Sequence, residues 1–315
     1  MHRKTLKGVS LKAKAVSRSM RTLVCISQAL TGDSIMRSSM YTQKPAYRFG
    51  SWKVPKEYEN IEIKLKNSRG YLLCRKDSSH QKIVYQIHGG GFVATFSNLY
   101  NKTALHFSKI CNADVFSIDY RTAPDHVFPC ALEDAMDGYA WILNQGYSRE
   151  NIILCGESAG GGLVLSLTMK LRDENMPLPR ALILSSPWTD QAAEGKSYST
   201  KKTEDYFFGH PDAAKVPKYP VPTVYAADHD KYDPYLSPAY GSFQGFPPML
   251  VQTGEAELLL SDSDTIVQKA RKSGVDVTYY TYPGMYHTFY ITQPDTREGK
   301  TAWRRIEEYV RKNRI

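Results

Sequence analysis

A serine set between two glycines is the first group in this sequence that could carry chemistry. Residues 156–160 read Gly-Glu-Ser-Ala-Gly, directly after a short apolar run and directly before a helical pattern. A sharp strand-to-helix turn has no room for side chains near its apex, so glycines two residues to either side would let the Ser158 hydroxyl project above a sheet edge. The N-terminus of the following helix adds partial positive charge beside an oxyanion. We predict that Ser158 is a nucleophile; the alternative is a helix start packed with glycine.

A run of three glycines follows another apolar stretch. Residues 88–91 read His-Gly-Gly-Gly, and successive glycines allow adjacent backbone N–H groups to point the same way. Such groups stabilise the negative oxygen that forms during acyl transfer. We predict oxyanion donors at Gly90 and Gly91, completed by the N–H of Ala159, with Gly89 as an alternative to one of the two glycines.

A histidine near the end of the chain could act as the base. His287 lies in a predicted turn after the last strand, and folds with this kind of serine turn have the chain order serine, acid, histidine. The acid should follow the strand predicted at 249–253, where it would orient the imidazole and stabilise its cationic form. We predict Glu257 in this role, and Asp262 and Glu255 stay open as alternatives.

The elements that must position these residues alternate between strands and helices from about residue 61. Short β-rich runs predict a hairpin and then strands, at 61–65, 71–74, 82–87, 114–120, 151–155, 181–185, 249–253 and 277–281. Helical patterns lie between them, at 102–110, 129–143, 159–171, 261–272 and 296–311. This alternation predicts an α/β fold with a mainly parallel sheet and helices on both faces. In such a sheet the functional groups gather at the carboxyl ends of the strands.

Two segments interrupt the alternation. Residues 1–55 precede the predicted sheet and have a helical pattern up to about Gln28, whereas residues 190–236 are rich in Pro, Tyr, Asp and Lys without a clear period. A gap of that length inside a domain is usually a functional insertion such as a lid. We therefore predict an N-terminal cap segment over 1–55 and a catalytic domain over 56–315, with a cap or lid insertion at 190–236.

The charge balance argues against a nucleic-acid partner. The chain of 315 residues has a net charge of +9, and residues 1–21 hold seven bases and no acid. Removing these seven from the 41 bases leaves 34 against 32 acids, whereas a nucleic-acid-binding protein carries its charge across a binding face. We interpret the N-terminal segment as a solvated basic helix, with contact to an anionic membrane or polyanion as the alternative.

The cysteines and the hydropathy exclude further classes of protein. The five cysteines are scattered and never in Cys-x-x-Cys spacing, which argues against zinc fingers and redox dithiols and predicts no metal site. Reduced thiols are typical of the cytoplasm, which is the expected location. No window approaches 18 apolar residues, so we expect no stable membrane insertion.

Taken together, these motifs resemble the hormone-sensitive-lipase-like esterases of the α/β-hydrolase superfamily. The resemblance runs from about Val84 to Phe289 and rests on residues 88–91, 119–125, 128–135, 156–161, 236–238 and 283–287. It implies an α/β-hydrolase fold with a helical cap, an ester-hydrolysing activity and no cofactor, and it leaves a homodimer open. The usual acid of that family is an aspartate about 30 residues before the histidine, a position that Glu257 occupies here.

The sequence thus predicts a serine carboxylesterase that acts on a small-molecule ester through an acyl-enzyme on Ser158. By resemblance the acyl group is short, such as acetyl or butyryl. Candidates to line the acyl pocket are aromatic residues of the insertion, namely Tyr206, Phe207, Phe208 and Tyr225. The alternatives are a relative that binds small molecules without turnover, and an amidase or peptidase that uses the same triad. The presence of both Ser158 and His287 favours an enzyme.

Overall fold

A nine-stranded sheet organises the described part of the chain, which in this computed structural model comprises residues 4–5, 8–31, 52–77, 79, 81–219, 221 and 223–313. The strands are β1 (Lys4–Thr5), β2 (Tyr58–Lys64), β3 (Arg69–Arg75), β4 (Ile83–Ile87), β5 (Asp114–Asp119), β6 (Ile152–Glu157), β7 (Ala181–Ser185), β8 (Met249–Gly254) and β9 (Val277–Tyr282). The α-helices of these ranges are α1 (Leu11–Thr31), α2 (Asn98–Cys111), α3 (Cys130–Asn144), α4 (Ala159–Asp173), α5 (Ser197–Thr200), α6 (Leu260–Lys272), α7 (Phe289–Thr292) and α8 (Arg297–Lys312).

The sheet is mainly parallel, as the alternation of elements predicts. Its order is β1-β9-β8-β7-β6-β4-β5-β3-β2, and only the β2–β3 and β3–β5 pairs are antiparallel. Strands β4, β6, β7 and β8 are buried along their whole length, which is typical of parallel strands covered on both faces. Helix α2 packs on α8, and α3 packs on α4. None of the described helices has the length and apolarity to cross a membrane.

The N-terminal segment differs from the prediction in one respect. The expectation that residues 1–55 precede the sheet is wrong for β1, which pairs in parallel with β9 at the sheet edge. An edge strand offers a row of unpaired backbone groups, and a short extended segment can complete it. Helix α1 confirms the predicted N-terminal helix, and Ser10 fixes its start by donating from its N–H and Oγ to the Glu298 carboxylate of α8, at 2.8 and 2.6 Å. The remainder of the predicted cap segment includes residues 32–51, which lie outside the described residues.

The insertion at 190–236 contains short helical turns and reaches the carboxyl edge of the sheet. Besides α5 it has 3-10 turns at Ala213–Lys215 and Val224–Ala226. Two of its side chains bind the backbone just after β8. Asp205 Oδ2 accepts the N–H of Leu258 at 2.6 Å, and Ser197 Oγ donates to the carbonyl of the same residue. The insertion therefore lies over the edge where the predicted site residues emerge.

Candidate active site

Ser158 lies at the apex of the sharp turn between β6 and α4, and we call residues 156–160 the nucleophile turn. Its φ of 55° falls in the left-handed region, a strained conformation that is typical of this kind of turn. A Cβ on Gly156 would lie 2.4 Å from the Gly160 carbonyl oxygen, and a Cβ on Gly160 would lie 2.1 Å from that of Ile87. The two flanking glycines are therefore required by close packing. The Ser158 N–H donates to the Ser185 carbonyl at 3.0 Å and holds the turn against β7.

His287 and Glu257 form a buried hydrogen-bonded pair. His287 lies between β9 and α7, in residues 283–288, which we call the histidine turn. Its Nδ1 lies 2.7 Å from Glu257 Oε2. The other carboxylate oxygen, Oε1, accepts from Ser186 Oγ at 2.9 Å, Thr253 Oγ1 at 2.5 Å and the Gly254 N–H at 2.6 Å. Three donors thus fix one oxygen and leave the second for the imidazole.

The two alternative acids have other partners. Asp262 Oδ2 accepts the backbone N–H groups of Thr189 and Asp190, at 2.7 and 3.0 Å. Glu255 Oε1 accepts from Thr281 Oγ1 at 2.7 Å. Within the part of the chain that the structure describes, neither carboxylate is hydrogen-bonded to His287, so the geometry favours Glu257.

Ser186 links the nucleophile turn to the histidine turn. It directly follows Ser185, the residue whose carbonyl accepts the N–H of the nucleophile, and its own Oγ accepts the Thr288 N–H at 3.3 Å. A second connection joins the Tyr290 hydroxyl to Glu157 Oε1, at 3.2 Å. The two turns are therefore neighbours at one edge of the sheet. Sequence reasoning missed Ser186, although its position one residue beyond β7 was a signal that could have identified it.

The glycine-rich loop approaches the nucleophile closely. A Cβ on Gly89 would lie 3.1 Å from the Cβ of Ser158, so a larger residue would push the loop away. The Gly89 N–H donates to the Tyr100 hydroxyl at 2.9 Å, and His88 Nδ1 donates to the Gly89 carbonyl at 2.7 Å. The His88 ring stacks on Tyr120 at 4.2 Å, and burial lowers its pKa, so it stays neutral and supports the loop.

The backbone N–H groups of the three predicted oxyanion donors have no hydrogen-bond acceptor among the described residues. Gly90 has φ 116° and Gly91 has φ 63°, conformations that favour glycine. Ala159 is the first residue of α4, and the first N–H groups of a helix have no acceptor within the helix. The alternative donor, Gly89, is already bonded to Tyr100. The geometry thus favours Gly90, Gly91 and Ala159.

Two phenylalanines of the insertion lie against the imidazole. The ring centroids of Phe207 and Phe208 are 6.1 and 5.2 Å from that of His287, in edge-to-face arrangements. Asp205 Oδ1 accepts the N–H groups of both phenylalanines, at 2.7 and 2.9 Å, while its Oδ2 binds the N–H of Leu258. Burial raises the pKa of Asp205 to about 6. This carboxylate, which sequence reasoning did not identify, ties the insertion to the residue that follows the acid.

The other two predicted pocket aromatics, Tyr225 and Tyr206, pack against residues other than His287. Tyr225 stacks on Phe92 at 4.2 Å, next to the glycine-rich loop. Tyr206 lies beneath the guanidinium of Arg21 from α1, and its ring is 6.0 Å from that of Tyr286. Of the four aromatics, only Phe207 and Phe208 contact the histidine.

A second buried acid lies beside the nucleophile. Glu157 precedes Ser158 at the end of β6 and is almost completely buried. Its Oε1 accepts from Tyr290, whereas its Oε2 has no partner in the described ranges. Burial raises the pKa of this carboxyl to about 8, so it is mainly protonated at neutral pH. Among the described residues, no group of three or more His, Cys, Asp and Glu side chains is placed to hold a metal ion.

Comparisons with known proteins agree with this geometry. The model of a family with the α/β-hydrolase fold matches residues 84–291. Among curated proteins, an "Acetyl-hydrolase" of Streptomyces hygroscopicus is 34% identical over 216 residues, 69% of this chain and 71% of that protein. An "Esterase LipU" of Mycobacterium tuberculosis is 30% identical over 259 residues, 80% of this chain and 84% of that protein.

Solved structures extend the similarity to nearly the whole chain. An esterase from the bacterial hormone-sensitive lipase family has a TM-score of 0.81 and 29% identity, covering 97% of this chain and 99% of that one. The structure of EstE5 soaked with p-nitrophenyl butyrate has a TM-score of 0.82 and 27% identity, covering 96% and 99%. The predicted fold class and resemblance are confirmed. This chain belongs to the α/β-hydrolase family, among the esterases that are similar to hormone-sensitive lipase.

Proposed function

We propose that this enzyme is a serine carboxylesterase that hydrolyses short-chain acyl esters through an acyl-enzyme on Ser158. The observation that carries the proposal is the buried pair of His287 and Glu257, in which Nδ1 lies 2.7 Å from Oε2. This pair neighbours the strained turn that holds Ser158. A base oriented by a third group, next to a candidate nucleophile, is the arrangement that activates a serine hydroxyl.

Acylation begins with proton transfer from Ser158 to His287. Because Nδ1–H donates to Glu257, Nε2 is left as the proton acceptor. The serine Oγ then attacks the ester carbonyl and forms a tetrahedral intermediate. Its negative oxygen is bound by the backbone N–H groups of Gly90 and Gly91 in the glycine-rich loop and of Ala159, the first residue of α4. The imidazolium next gives its proton to the departing alcohol.

Deacylation uses the same groups, with a water molecule in place of the serine hydroxyl as the nucleophile. A water molecule replaces the alcohol, His287 takes its proton, and the resulting hydroxide attacks the acyl carbonyl. Collapse of the second tetrahedral intermediate releases the carboxylic acid and returns the proton to Ser158. No step requires a cofactor.

The proposed preference for short acyl groups is supported by the insertion. Phe207 and Phe208 are buried against His287, so bulky rings occupy space next to the base. Because each buried methylene contributes only about 0.8 kcal/mol, the preference should be graded. The names of similar proteins point the same way, since one is an acetyl-hydrolase and another was soaked with p-nitrophenyl butyrate.

The remaining assignments are also proposals. We propose a cytoplasmic location, supported by five cysteines that all lie in the described part of the chain and are free. A nucleic-acid partner is not expected, because most of the excess of bases lies in residues 1–21 rather than across a binding face. We retain a cap segment over 1–55, apart from β1, which belongs to the sheet, and a catalytic domain over 56–315. The insertion at 190–236 would act as a lid, supported by the contact of Asp205 with the backbone just after β8.

A fluorophosphonate probe tests the nucleophile directly. We expect the wild-type chain to be labelled on Ser158, as mapped by mass spectrometry, and Ser158→Ala to lose both the label and roughly 10⁴–10⁶-fold in p-nitrophenyl acetate turnover. Ser199→Ala, which changes an exposed serine of the insertion, is the matched control and should behave as wild type. Labelling at another serine would contradict the proposal.

The same assay separates the alternatives. A protein that binds small molecules without turnover would hydrolyse no ester of a p-nitrophenyl series. An amidase or peptidase would also cleave the matching p-nitroanilides at a readily measured rate, because it is built to break the more stable amide bond. We expect turnover of the esters and much slower cleavage of the anilides.

A further inference from the structure

The outward side of α1 is mainly apolar at its centre. Successive helical residues are rotated by about 100°, so the side opposite the buried residues Ala13, Ser17 and Val24 can be identified. Four residues fall there within about 60° of one another, namely Leu11, Ala15, Thr22 and Ile26. Leu11 is 85% exposed and Ile26 is 51% exposed. Of the six large hydrophobic side chains exposed in the described part of the chain, three belong to α1.

Cations flank this apolar stripe. Lys14 and Arg18 lie on one side of it and Lys12 on the other, and α1 contains no acidic residue. Lys14 and Arg18 are exposed and make no ion pair with the described residues. We call Leu11, Ile26, Lys14 and Arg18, with the residues between them on this side, the outer face of α1.

The charge of the outer face decides which occupant fits it. A second copy of the chain would present the same cations and repel them. The segment 32–51, which follows α1 in the chain, has three bases and one acid and is also net positive. A surface of anionic lipid headgroups over an apolar layer complements both features, because an amphipathic helix buries its apolar stripe at the acyl boundary while flanking cations pair with the headgroups. We propose that α1 docks this enzyme on an anionic lipid surface, with the helix lying in the plane of the interface.

The position of α1 connects this surface to the candidate active site. Arg21, on the side of α1 that faces the insertion, donates to the Thr203 carbonyl at 3.4 Å and lies over the Tyr206 ring. The Tyr206 ring in turn contacts that of Tyr286, the neighbour of His287. A docked α1 would hold the insertion, and the histidine beneath it, near a layer in which apolar esters dissolve. The docking itself rests on the helix alone and does not depend on the proposed function.

Vesicle co-sedimentation of the full chain tests the proposal. We expect binding to vesicles of phosphatidylcholine mixed with phosphatidylserine and little binding to phosphatidylcholine alone. Binding should weaken as sodium chloride is raised from about 0.05 to 0.5 M, because salt screens the attraction. The double variant Lys14→Gln, Arg18→Gln removes two cations and should lower the partition coefficient roughly 30-fold.

Two further variants make the test specific. Lys109→Gln with Lys272→Gln removes the same charge from exposed sites on α2 and α6 and should bind as wild type. Leu11→Ser with Ile26→Ser keeps every charge and should lower binding about tenfold or more, since each buried methylene adds about 0.8 kcal/mol. All variants should hydrolyse a water-soluble ester at the wild-type rate, because the changed side chains face solvent.

Each other outcome overturns the proposal. Equal binding to both kinds of vesicle, or equal loss in the Lys109 and Lys272 control, would mean that the outer face has no special role. If polyglutamate bound with the same affinity as the vesicles and the Leu11 and Ile26 variant were unaffected, the helix would be a general polyanion site or a contact for an acidic protein. A wild-type dimer that the Leu11 and Ile26 variant dissociates would assign the face to a second copy.

Discussion

The acid that we propose is a glutamate at a position where the resemblance implies an aspartate, and its surroundings are compatible with that role. Glu257 has one more methylene than aspartate, so its carboxylate needs firmer restraint to present one oxygen to the imidazole. Ser186, Thr253 and Gly254 supply that restraint by donating to Oε1. A charged acceptor with three donors makes strong, directional hydrogen bonds. These three hydrogen bonds restrain the longer side chain, and Oε2 is left to face His287.

Replacement of this acid should lower turnover without unfolding the enzyme. Glu257→Gln places a neutral amide against Nδ1, which removes the charge that stabilises the imidazolium and can impose the wrong tautomer. We expect kcat for p-nitrophenyl acetate to fall roughly 10³–10⁴-fold, while the far-ultraviolet circular dichroism stays unchanged. The measurement is steady-state kinetics on purified protein.

The matched control for this variant is Glu255→Gln. Glu255 was an alternative acid, yet its carboxylate is bonded to Thr281 rather than to the histidine. Its variant should retain most of the wild-type kcat. An equal loss of turnover in both variants would show that the assignment of the acid is wrong.

At the scale of elements, the insertion shapes the space beside the base. Asp205 binds the N–H groups of Phe207 and Phe208 and, at the same time, that of Leu258. One buried carboxylate thus orients two aromatic rings relative to the residue after the acid. The rings are therefore part of a fixed wall at the histidine rather than a loose covering, which makes them candidates to limit the length of the acyl chain.

Removal of one ring should shift the acyl preference towards longer chains. Phe208→Ala vacates the volume of a buried ring whose centroid is 5.2 Å from that of His287. If two or three more methylenes can then be buried, kcat/KM for p-nitrophenyl octanoate relative to the butyrate should rise roughly 10–50-fold, at about 0.8 kcal/mol each. A series of p-nitrophenyl esters measures this ratio.

An exposed aromatic of the same insertion provides the control. Tyr232 is half exposed and lies away from the imidazole, so Tyr232→Ala should leave the ratio unchanged. A ratio that is also unchanged in Phe208→Ala would mean that the wall does not limit the acyl chain.

The alternation of apolar runs and helical patterns was sufficient to predict the parallel sheet, because each strand after β1 carries its own local signal. Strand β1 was missed, since two residues give no period and their pairing with β9 spans almost the whole chain. Ser186 and Asp205 were missed for a related reason. Their roles arise from bonds to residues 71 and 53 positions away, and a single serine or aspartate in a loop has many other uses. Motifs with spaced glycines were recognisable because backbone geometry demands them locally.

At the scale of the whole molecule, buried carboxyls connect the candidate site to stability. Burial raises the pKa of Glu157 to about 8 and that of Asp205 to about 6, and it also raises the pKa of Asp262. In an unfolded chain each of these groups titrates near its ordinary value. The folded state therefore holds protons that the unfolded state releases, and linkage requires stability to fall as pH rises through that interval.

Of these three carboxyl groups, Glu157 makes the largest contribution that can be given a size to the pH dependence of the free energy of unfolding. Below its unfolded pKa of 4.5 the carboxyl is protonated in both states and has no effect. Between 4.5 and about 8 the unfolded chain has released the proton while the folded protein retains it, so the free energy of unfolding declines. Above about 8 both states are ionised and the penalty is constant, at roughly 5 kcal/mol for a shift of this size.

Glu157→Gln should therefore flatten the dependence of stability on pH. The amide has nearly the same shape, can accept from Tyr290 and never ionises, so the variant lacks this part of the decline. Denaturant unfolding at about pH 5 and pH 9 should show the wild type losing roughly 4 kcal/mol more than the variant. Glu308→Gln changes a glutamate that is largely exposed and should follow the wild type. Equal declines in the Glu157 variant and the wild type would mean that the buried carboxyl ionises as readily in the folded protein as in water, and the low-polarity environment assigned to this position would be wrong.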